Sequence, residues 1–332
     1  MSIPLNNPKK ILVVDPIDRG AIAELEKNGF SVDIQLSPLL SDLPKLVSQH
    51  NVLICRTNTK LSGDFFAEAS HLDCVALAST GYDQIDIESA ARHNVPILGL
   101  PSTNKNIDTR KHGNFISTAE HTMLLILAAL GDFHNASTSL KSGEWEKSHF
   151  VGREAYQKTL GFIGFGRISK LVAARAHAFG MTTIAYDPYV SVEEMSEHDT
   201  EKVTLEELCS RSDIITIHAP KTPETISLLN EEAFKRMKKG VVLINVARAE
   251  IIDKEALMKA LDDEIVFRAA LDVFTNEPYE IEWDLIKHSK VIPTPHIGGS
   301  TEEAMRRISL STAESIVNFL VHGDDSNLIN KP

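Results

Sequence analysis

The sequence predicts an α/β chain built from two doubly wound parallel-sheet domains. Three observations carry that expectation. Short apolar runs alternate with segments of helical spacing from Lys10 onward, the pattern of parallel strands covered by helices. A glycine-rich turn in mid-chain, Leu160 to Ser169 (L-G-F-I-G-F-G-R-I-S), starts the alternation afresh. A length of 332 residues supplies material for two buried cores.

The first series opens with a strand at Ile11 to Asp15 and a helix near Gly20 to Asn28, then a strand at Val32 to Gln35 and a helix near Leu43 to His50. A strand at Val52 to Cys55, a helix near Phe65 to Ser70 and a strand at Cys74 to Ser79 follow. Ile87 to His93 then leads to Pro96 to Leu100. In open α/β sheets ligands bind beyond the carboxyl ends of the strands, which singles out two turns. Arg56-Thr57-Asn58-Thr59-Lys60 follows one strand and Ser79-Thr80-Gly81-Tyr82-Asp83 another. Arg56 and Lys60 are candidates to hold a carboxylate or phosphate, and the N–H groups around Gly81 can form an anion-binding concavity. The plain alternative is two polar surface turns.

Pro101 to Asn114 is the most polar passage of the first half and reads as an interdomain connection. Its Lys105, Arg110 and Lys111 read as solvated linker charges, with an overhang on the cleft as the alternative. Thr118 to Leu130 is a strongly apolar helix too short for a bilayer, hence a buried domain or subunit contact. Leu140 to Tyr156 contains Trp145, which is expected to pack.

The glycine turn joins a strand, Thr159 to Ile163, to a helix, Arg167 to Phe179. Gly164 permits the sharp reversal and Gly166 lets backbone approach a bound group, so a pyrophosphate can rest on the unpaired N–H groups at the helix start. A second strand, Thr182 to Asp187, delivers a carboxylate ~20 residues later, the spacing of a ribose 2'-hydroxyl contact. Asp187 would repel a 2'-phosphate, so NAD is favoured over NADP. Ser169 stands at the third glycine of G-x-G-x-x-G, and a slightly displaced helix is expected there.

Beyond Asp187, Lys202 to Ser210 reads as a helix and Asp213 to His218 as a buried strand entering Ala219-Pro220-Lys221. Phe234 to Lys239 leads to the strand Val241 to Val246, closed by Ala247-Arg248-Ala249. A helix at Ile252 to Leu261 and a strand at Phe267 to Val273 follow. The last strand, Val291 to Thr294, ends in Pro295-His296-Ile297-Gly298-Gly299, and Thr301 to Val321 is a closing helix. Three consecutive strand ends thus present Arg248, then Asp272 with Glu277, then His296, and a doubly wound sheet turns such ends toward one crevice. Their types suit hydride exchange at a carbonyl beside a carboxylate. Arg248 offers a planar fork of donors to the carboxylate. His296 can exchange a proton with the carbonyl or hydroxyl oxygen. Glu277 can fix the imidazole tautomer and raise its pKa, and Asp272 can hold the nicotinamide carboxamide. His218 reads as a strand-end core residue, with a place beside the nicotinamide as the alternative.

Composition excludes several classes. A formal net charge of -12 argues against nucleic acid and anionic membranes. The 13 histidines lack H-E-x-x-H or comparable ligand spacing, so no metal site is expected. Three scattered cysteines, Cys55, Cys74 and Cys209, suggest buried thiols in a reducing compartment. With no signal-peptide core at the N-terminus, the expected location is cytoplasmic.

Six ordered motifs carry a family resemblance: T-L-G-F-I-G-F-G-R-I-S, A-Y-D-P-Y, I-H-A-P-K-T-P-E-T, I-N-V-A-R-A-E-I-I-D, A-A-L-D-V-F-T-N-E-P and P-T-P-H-I-G-G-S-T. Together they resemble the D-isomer-specific 2-hydroxyacid dehydrogenases, nearest to the phosphoglycerate dehydrogenase branch of serine biosynthesis. The resemblance implies Arg248, Glu277 and His296 as the catalytic arginine, glutamate and histidine. It implies NAD contacts from Thr80, Gly164, Gly166, Arg167, Ile168, Asp187, Ala219, Val246, Ala247, Asp272, His296, Gly298 and Gly299. Substrate contacts fall to Arg56, Lys60, Ser79, Thr80, Gly81 and Arg248. The implied architecture is a flavodoxin-like substrate domain, discontinuous at residues 1–105 and 299–332, and a Rossmann NAD domain at 106–298, with a cleft between them and a homodimer formed partly through Thr118 to Leu130.

Departures from the family pattern sharpen the expectation. Ala249 replaces a glycine after the catalytic arginine. Leu77 stands where the phosphoglycerate branch tends to carry an arginine for the substrate phosphate. Residues 104–112 are longer than the usual connection, and the end at Pro332 leaves no room for the regulatory domain that some members append. The substrate expected first is 3-phosphoglycerate, followed by glyoxylate or hydroxypyruvate. An NADH-sensing corepressor of the same fold is the alternative from another class, and a formate dehydrogenase is disfavoured because that branch uses glutamine at Glu277.

Overall fold

The computed structural model describes residues 8–100, 108, 111–275, 277 and 282–330. Lys105 and Arg110 lie outside these residues, as do the first seven positions. The chain divides into two units, Met1–Asn114 with Ser300–Pro332, and Phe115–Gly299. The sequence reading set the boundaries at 105/106 and 298/299. The first differs because the end of the polar passage is tied to the closing helix: the His112 ring bonds Ser311 Oγ at 2.9 Å and Arg307 Nε donates to the Gly113 carbonyl.

In the first unit five parallel strands, β1 (Lys10–Val13), β2 (Ser31–Ile34), β3 (Val52–Cys55), β4 (Cys74–Leu77) and β5 (Ile97–Leu98), lie in the order β2-β1-β3-β4-β5. This is the flavodoxin-like winding. Strands β3 and β4 are buried along their whole length, as V-L-I-C and C-V-A-L require of a sheet covered on both faces. One face packs Leu12, Leu53, Phe66 and Leu77 together, and the other packs Val13, Ile54 and Ala76 against Ile308 and Ile316 of the closing helix Glu302–Val317.

In the second unit seven parallel strands, β6 (Thr159–Ile163), β7 (Thr182–Tyr186), β8 (Thr200–Lys202), β9 (Ile214–Ile217), β10 (Val241–Asn245), β11 (Val266–Leu271) and β12 (Val291–Pro293), run β12-β11-β10-β9-β6-β7-β8. Strand order reverses between β6 and β9, the place where open sheets of this kind leave a ligand crevice. The helix Phe115–Gly131 buries ten residues, among them Met123, Leu125, Ile126 and Leu130.

Several expectations need correction. The helix read from Lys202 begins at Leu205, because Thr204 and Glu207 form a reciprocal capping box and Lys202 closes edge strand β8. Asn230 and Asp253 cap the next helices, Glu231–Arg236 and Lys254–Asp262, and so set their starts. The helix Phe133–Lys141, not assigned from the sequence, buries no residue within this chain. Trp145 does not pack within this chain: it is 83% exposed on the polar segment after that helix. The three cysteines are buried and free, and burial pushes the Cys209 thiol up to about 11 and those of Cys55 and Cys74 higher still. Among the described residues no helix is long and apolar enough to cross a membrane.

Candidate active site

Strand β6 ends at Ile163 and the chain reverses through Gly164 at φ +86°, where a Cβ would lie 2.8 Å from the Ala219 nitrogen. Left-handed backbone and close approach both demand glycine there. Gly166 caps the helix Arg167–Ala178 without a side-chain hydrogen bond, and a Cβ on it would meet nothing within 4 Å. The twelve-residue helix thus starts behind a glycine with no side-chain cap, an N-terminus of the kind that fits a dinucleotide pyrophosphate. Ser169 is fully buried, and its Oγ donates to the Gly164 carbonyl at 2.7 Å. This residue closes the turn with a local bond that serine readily makes. Asp187, just beyond β7, reaches the same turn: its Oδ2 accepts from the Phe165 N–H at 2.8 Å and its Oδ1 from the Tyr189 N–H at 2.9 Å. Arg167 stacks over the Phe115 ring at 5.0 Å, beside half-buried Ile168.

At the end of β9, the His218 ring stands beside Phe162 with its centroid 6.1 Å away and its Nε2 3.0 Å from Thr216 Oγ1. Its Nδ1 is buried with no hydrogen-bond partner among the described residues, and burial lowers its pKa to about 3. At the end of β10, Val246 is buried, while Ala247 and Arg248 are half-buried. Asn245 shapes this exit: its Oδ1 accepts from the Ala247 N–H and its Nδ2 donates to the Arg248 carbonyl. The Arg248 guanidinium donates back to the Ala247 carbonyl at 2.7 Å.

Glu277 and His296 meet although β12 separates them in sequence. His296 Nδ1 lies 2.6 Å from Glu277 Oε2, and Glu277 Oε1 accepts from the Phe274 N–H at 2.5 Å. The carboxylate is thus anchored on one oxygen and faces the imidazole with the other. The Glu277 hydrogen bond raises the His296 pKa; burial and the Arg248 charge oppose it, the Glu277 and Asp272 charges assist, and the net shift is upward. With Nδ1 turned to Glu277, Nε2 is the nitrogen left for chemistry. His296 has φ +53°, a left-handed conformation that costs a non-glycine residue ~1–2 kcal/mol.

Asp272 supplies the opposing constraint. It is 1% exposed, and its carboxylate accepts from Thr294 Oγ1 at 2.6 Å, the Ile297 N–H at 2.9 Å and the Gly298 N–H at 2.8 Å. Burial pushes its pKa up, but donation from His121, Thr294 and Ile297 outweighs burial and holds the group below the ordinary carboxylate range. The sequence assigned Asp272 to the nicotinamide carboxamide; Oδ1 takes the Thr294 and Ile297 donors and Oδ2 the Gly298 N–H.

In the first unit, Arg56 and the 79–81 turn are laced together. Arg56 Nε donates to the Ala78 carbonyl, and its backbone N–H donates to buried Asp15 Oδ2, which also accepts from Thr59 Oγ1. Burial lowers the Arg56 pKa, with Asp15 pulling the other way. Ser79 Oγ donates to the Gly81 carbonyl and Thr80 Oγ1 to Asn114 Oδ1. Arg56 borders a concavity of about 560 Å³ with Ile17, Asp18 and Thr301. Lys60 borders a different one with Leu40, Pro44 and Asp64, so the structure does not join these two cations. Leu77 is 1% exposed within the core.

Sequence reasoning missed Asp15, the Ser169 bond and His121. The last had a signal: a titratable ring inside the apolar run A-E-H-T-M-L-L-I-L.

Residues 123–298 match the family model described as "D-isomer specific 2-hydroxyacid dehydrogenase, NAD binding domain". Over 97% of its length the chain is 37% identical to D-3-phosphoglycerate dehydrogenase of Archaeoglobus fulgidus, and it spans 59% of that relative. Among solved structures, it resembles the NAD-dependent formate dehydrogenase of Staphylococcus aureus in complex with NAD, with TM-score 0.83, 29% identity, and coverage of 96% of this chain and 98% of that one. It also resembles D-lactate dehydrogenase of Aquifex aeolicus complexed with NAD and lactic acid, with TM-score 0.80, 27% identity, and coverage of 98% and 100%. With a parallel-sheet nucleotide unit, a glycine turn and more than half its length under the family model, the chain belongs to the D-isomer specific 2-hydroxyacid dehydrogenase family.

Proposed function

We propose that the chain is an NAD-dependent oxidoreductase acting on small D-2-hydroxy and 2-oxo acids. The observation that carries this reading is the imidazole–carboxylate pair of His296 and Glu277 at 2.6 Å, with Arg248 following strand β10 of the same sheet. In the direction of reduction, His296 gives its Nε2 proton to the carbonyl oxygen while Glu277 stabilises the imidazolium. Arg248 grips the acid's carboxylate and polarises the carbonyl. When bound, the reduced cofactor would supply the hydride for reduction of a 2-oxo acid, and the oxidised cofactor would accept it from a 2-hydroxy acid. The cofactor would be held by the turn from Gly164 to Ile168, with Asp187 at the ribose, Ala219, Val246 and Ala247 along the crevice, and Gly298 and Gly299 near His296. Arg56, Ser79, Thr80 and Gly81 are assigned to the acid's polar groups, and Lys60 more weakly because it borders another concavity.

Among acids, 3-phosphoglycerate is proposed first because curated relatives carry that activity in their names. The buried side chain of Leu77 offers a phosphate nothing, which favours glyoxylate or hydroxypyruvate as the next candidates. Purified protein assayed for NADH and NADPH oxidation against a panel of 2-oxo acids tests the reading. Turnover with NADH and at least one acid supports it; NADH binding without turnover on any acid refutes it and favours the corepressor alternative.

The exposed apolar side chains of Leu124, Leu127, Phe133, Trp145 and Val151 support a homodimer. Sedimentation equilibrium should give twice the 36.7 kDa chain mass. The buried thiols support a reducing, cytoplasmic location, which cell fractionation would check.

A further inference from the structure

We propose that His121 is a positioning residue that acts through Asp272 on the turn carrying His296. The inference rests on the reading of His296 as the proton-exchanging group. His121 projects from the helix Phe115–Gly131, and its side chain is 9% exposed against 1% for Asp272. Its Nε2 lies 3.2 Å from Asp272 Oδ1 and 3.3 Å from Thr294 Oγ1. Thr294 spends its one hydroxyl proton on Asp272 Oδ1, so toward His121 it can only accept. Both neighbours of Nε2 are therefore acceptors, and Nε2 carries the proton. The ring thus completes the donor set around a buried carboxylate, with Ile297 N–H and Gly298 N–H as the backbone members.

Those two amides directly follow His296, whose backbone is left-handed. A buried carboxylate short of a donor is costly and draws in water or a proton, and either outcome loosens its remaining bonds. The packing leaves little room for such relaxation: a Cβ on Gly298 would stand 3.0 Å from Asp272 Oδ2 and 3.6 Å from His121 Cδ2. His121 therefore keeps the His296 ring on Glu277, which is the leading cause of the raised imidazole pKa. The charged groups acting on that ring are Glu277, Asp272 and Arg248, while His121 touches Asp272 and Thr294.

The test uses the full chain with two substitutions. His121→Leu removes the donor at similar volume, and His121→Gln places an amide nitrogen where Nε2 stood. In His121→Leu, kcat for 2-oxo acid reduction should fall roughly tenfold or more, and the alkaline limb of its pH profile should move to lower pH. The Ile297 and Gly298 amide protons should exchange about tenfold faster. His121→Gln should recover all three measurements to within a few-fold. Wild-type kcat with wild-type exchange in His121→Leu overturns the proposal, as does a loss that His121→Gln shares in full. If the wild-type protein turns over no 2-oxo acid, the functional reading falls on its own, while amide exchange still decides whether His121 holds the turn.

Discussion

The glycine turn after β6 and the turn bearing His296 after β12 close strands of one sheet, yet they are held in opposite ways. The first takes its form from missing side chains: Gly164 sits against the Ala219 backbone, Gly166 opens the helix start, and a single Ser169 hydroxyl ties the turn shut. The second holds a left-handed histidine next to two amides that donate to a buried carboxylate. A binding surface for a phosphate needs exposed backbone, whereas a proton-exchanging ring needs one fixed direction and a tuned pKa. The two means of construction suit those two demands.

The comparison can be broken most directly at the ring. His296→Asn should lower kcat for 2-oxo acid reduction by about 10²–10⁴ while NADH quenching of tryptophan fluorescence persists; retention of near wild-type kcat would remove His296 from the chemistry. Gly164→Ala forces both a left-handed alanine and a 2.8 Å approach to Ala219. It should abolish NADH binding and cost about 1–3 kcal/mol in urea unfolding. An unchanged dissociation constant would show that the turn is not the cofactor cradle.

Glu277→Gln sharpens the comparison because it keeps shape and removes charge. Glu277 raises the His296 pKa, so protonated His296 survives to higher pH than a free imidazole, and reduction is lost only as pH rises through that raised value. Removing the charge should move the alkaline limb to lower pH and reduce kcat by roughly ten- to a hundredfold. A limb that stays put would assign the titration to another group. The smallest effect belongs to Ser169→Ala, which deletes one buried hydrogen bond and should cost about 1 kcal/mol in thermal or urea unfolding with modest weakening of NADH.

This contrast explains what could be read from sequence. The glycine turn, the spacing to Asp187 and the two series of strands are local patterns, and they announce a nucleotide-binding α/β unit without any tertiary knowledge. The pairing of His296 with Glu277 was legible as a convergence of strand ends and from the motifs that carry the family resemblance. Its support was not, because Asp272, Thr294 and His121 lie far apart in the chain and their meeting depends on how the helix Phe115–Gly131 packs on β10 and β11. The edge strand β8 was missed because three residues, T-E-K, are too few to leave a periodic signature. Trp145 misled for the converse reason: its size suggested packing, yet it stands 83% exposed.

The Asp187 carboxylate accepts from the Phe165 N–H inside the glycine turn, so one side chain fastens the loop and, on the proposed reading, greets the ribose. Trading it for a smaller neutral residue to admit a 2'-phosphate would untie Phe165 in the same stroke. Redesign toward NADPH would therefore require a replacement tether as well as a new anion receptor, and variants that supply only the receptor should lose the old coenzyme without gaining the new one.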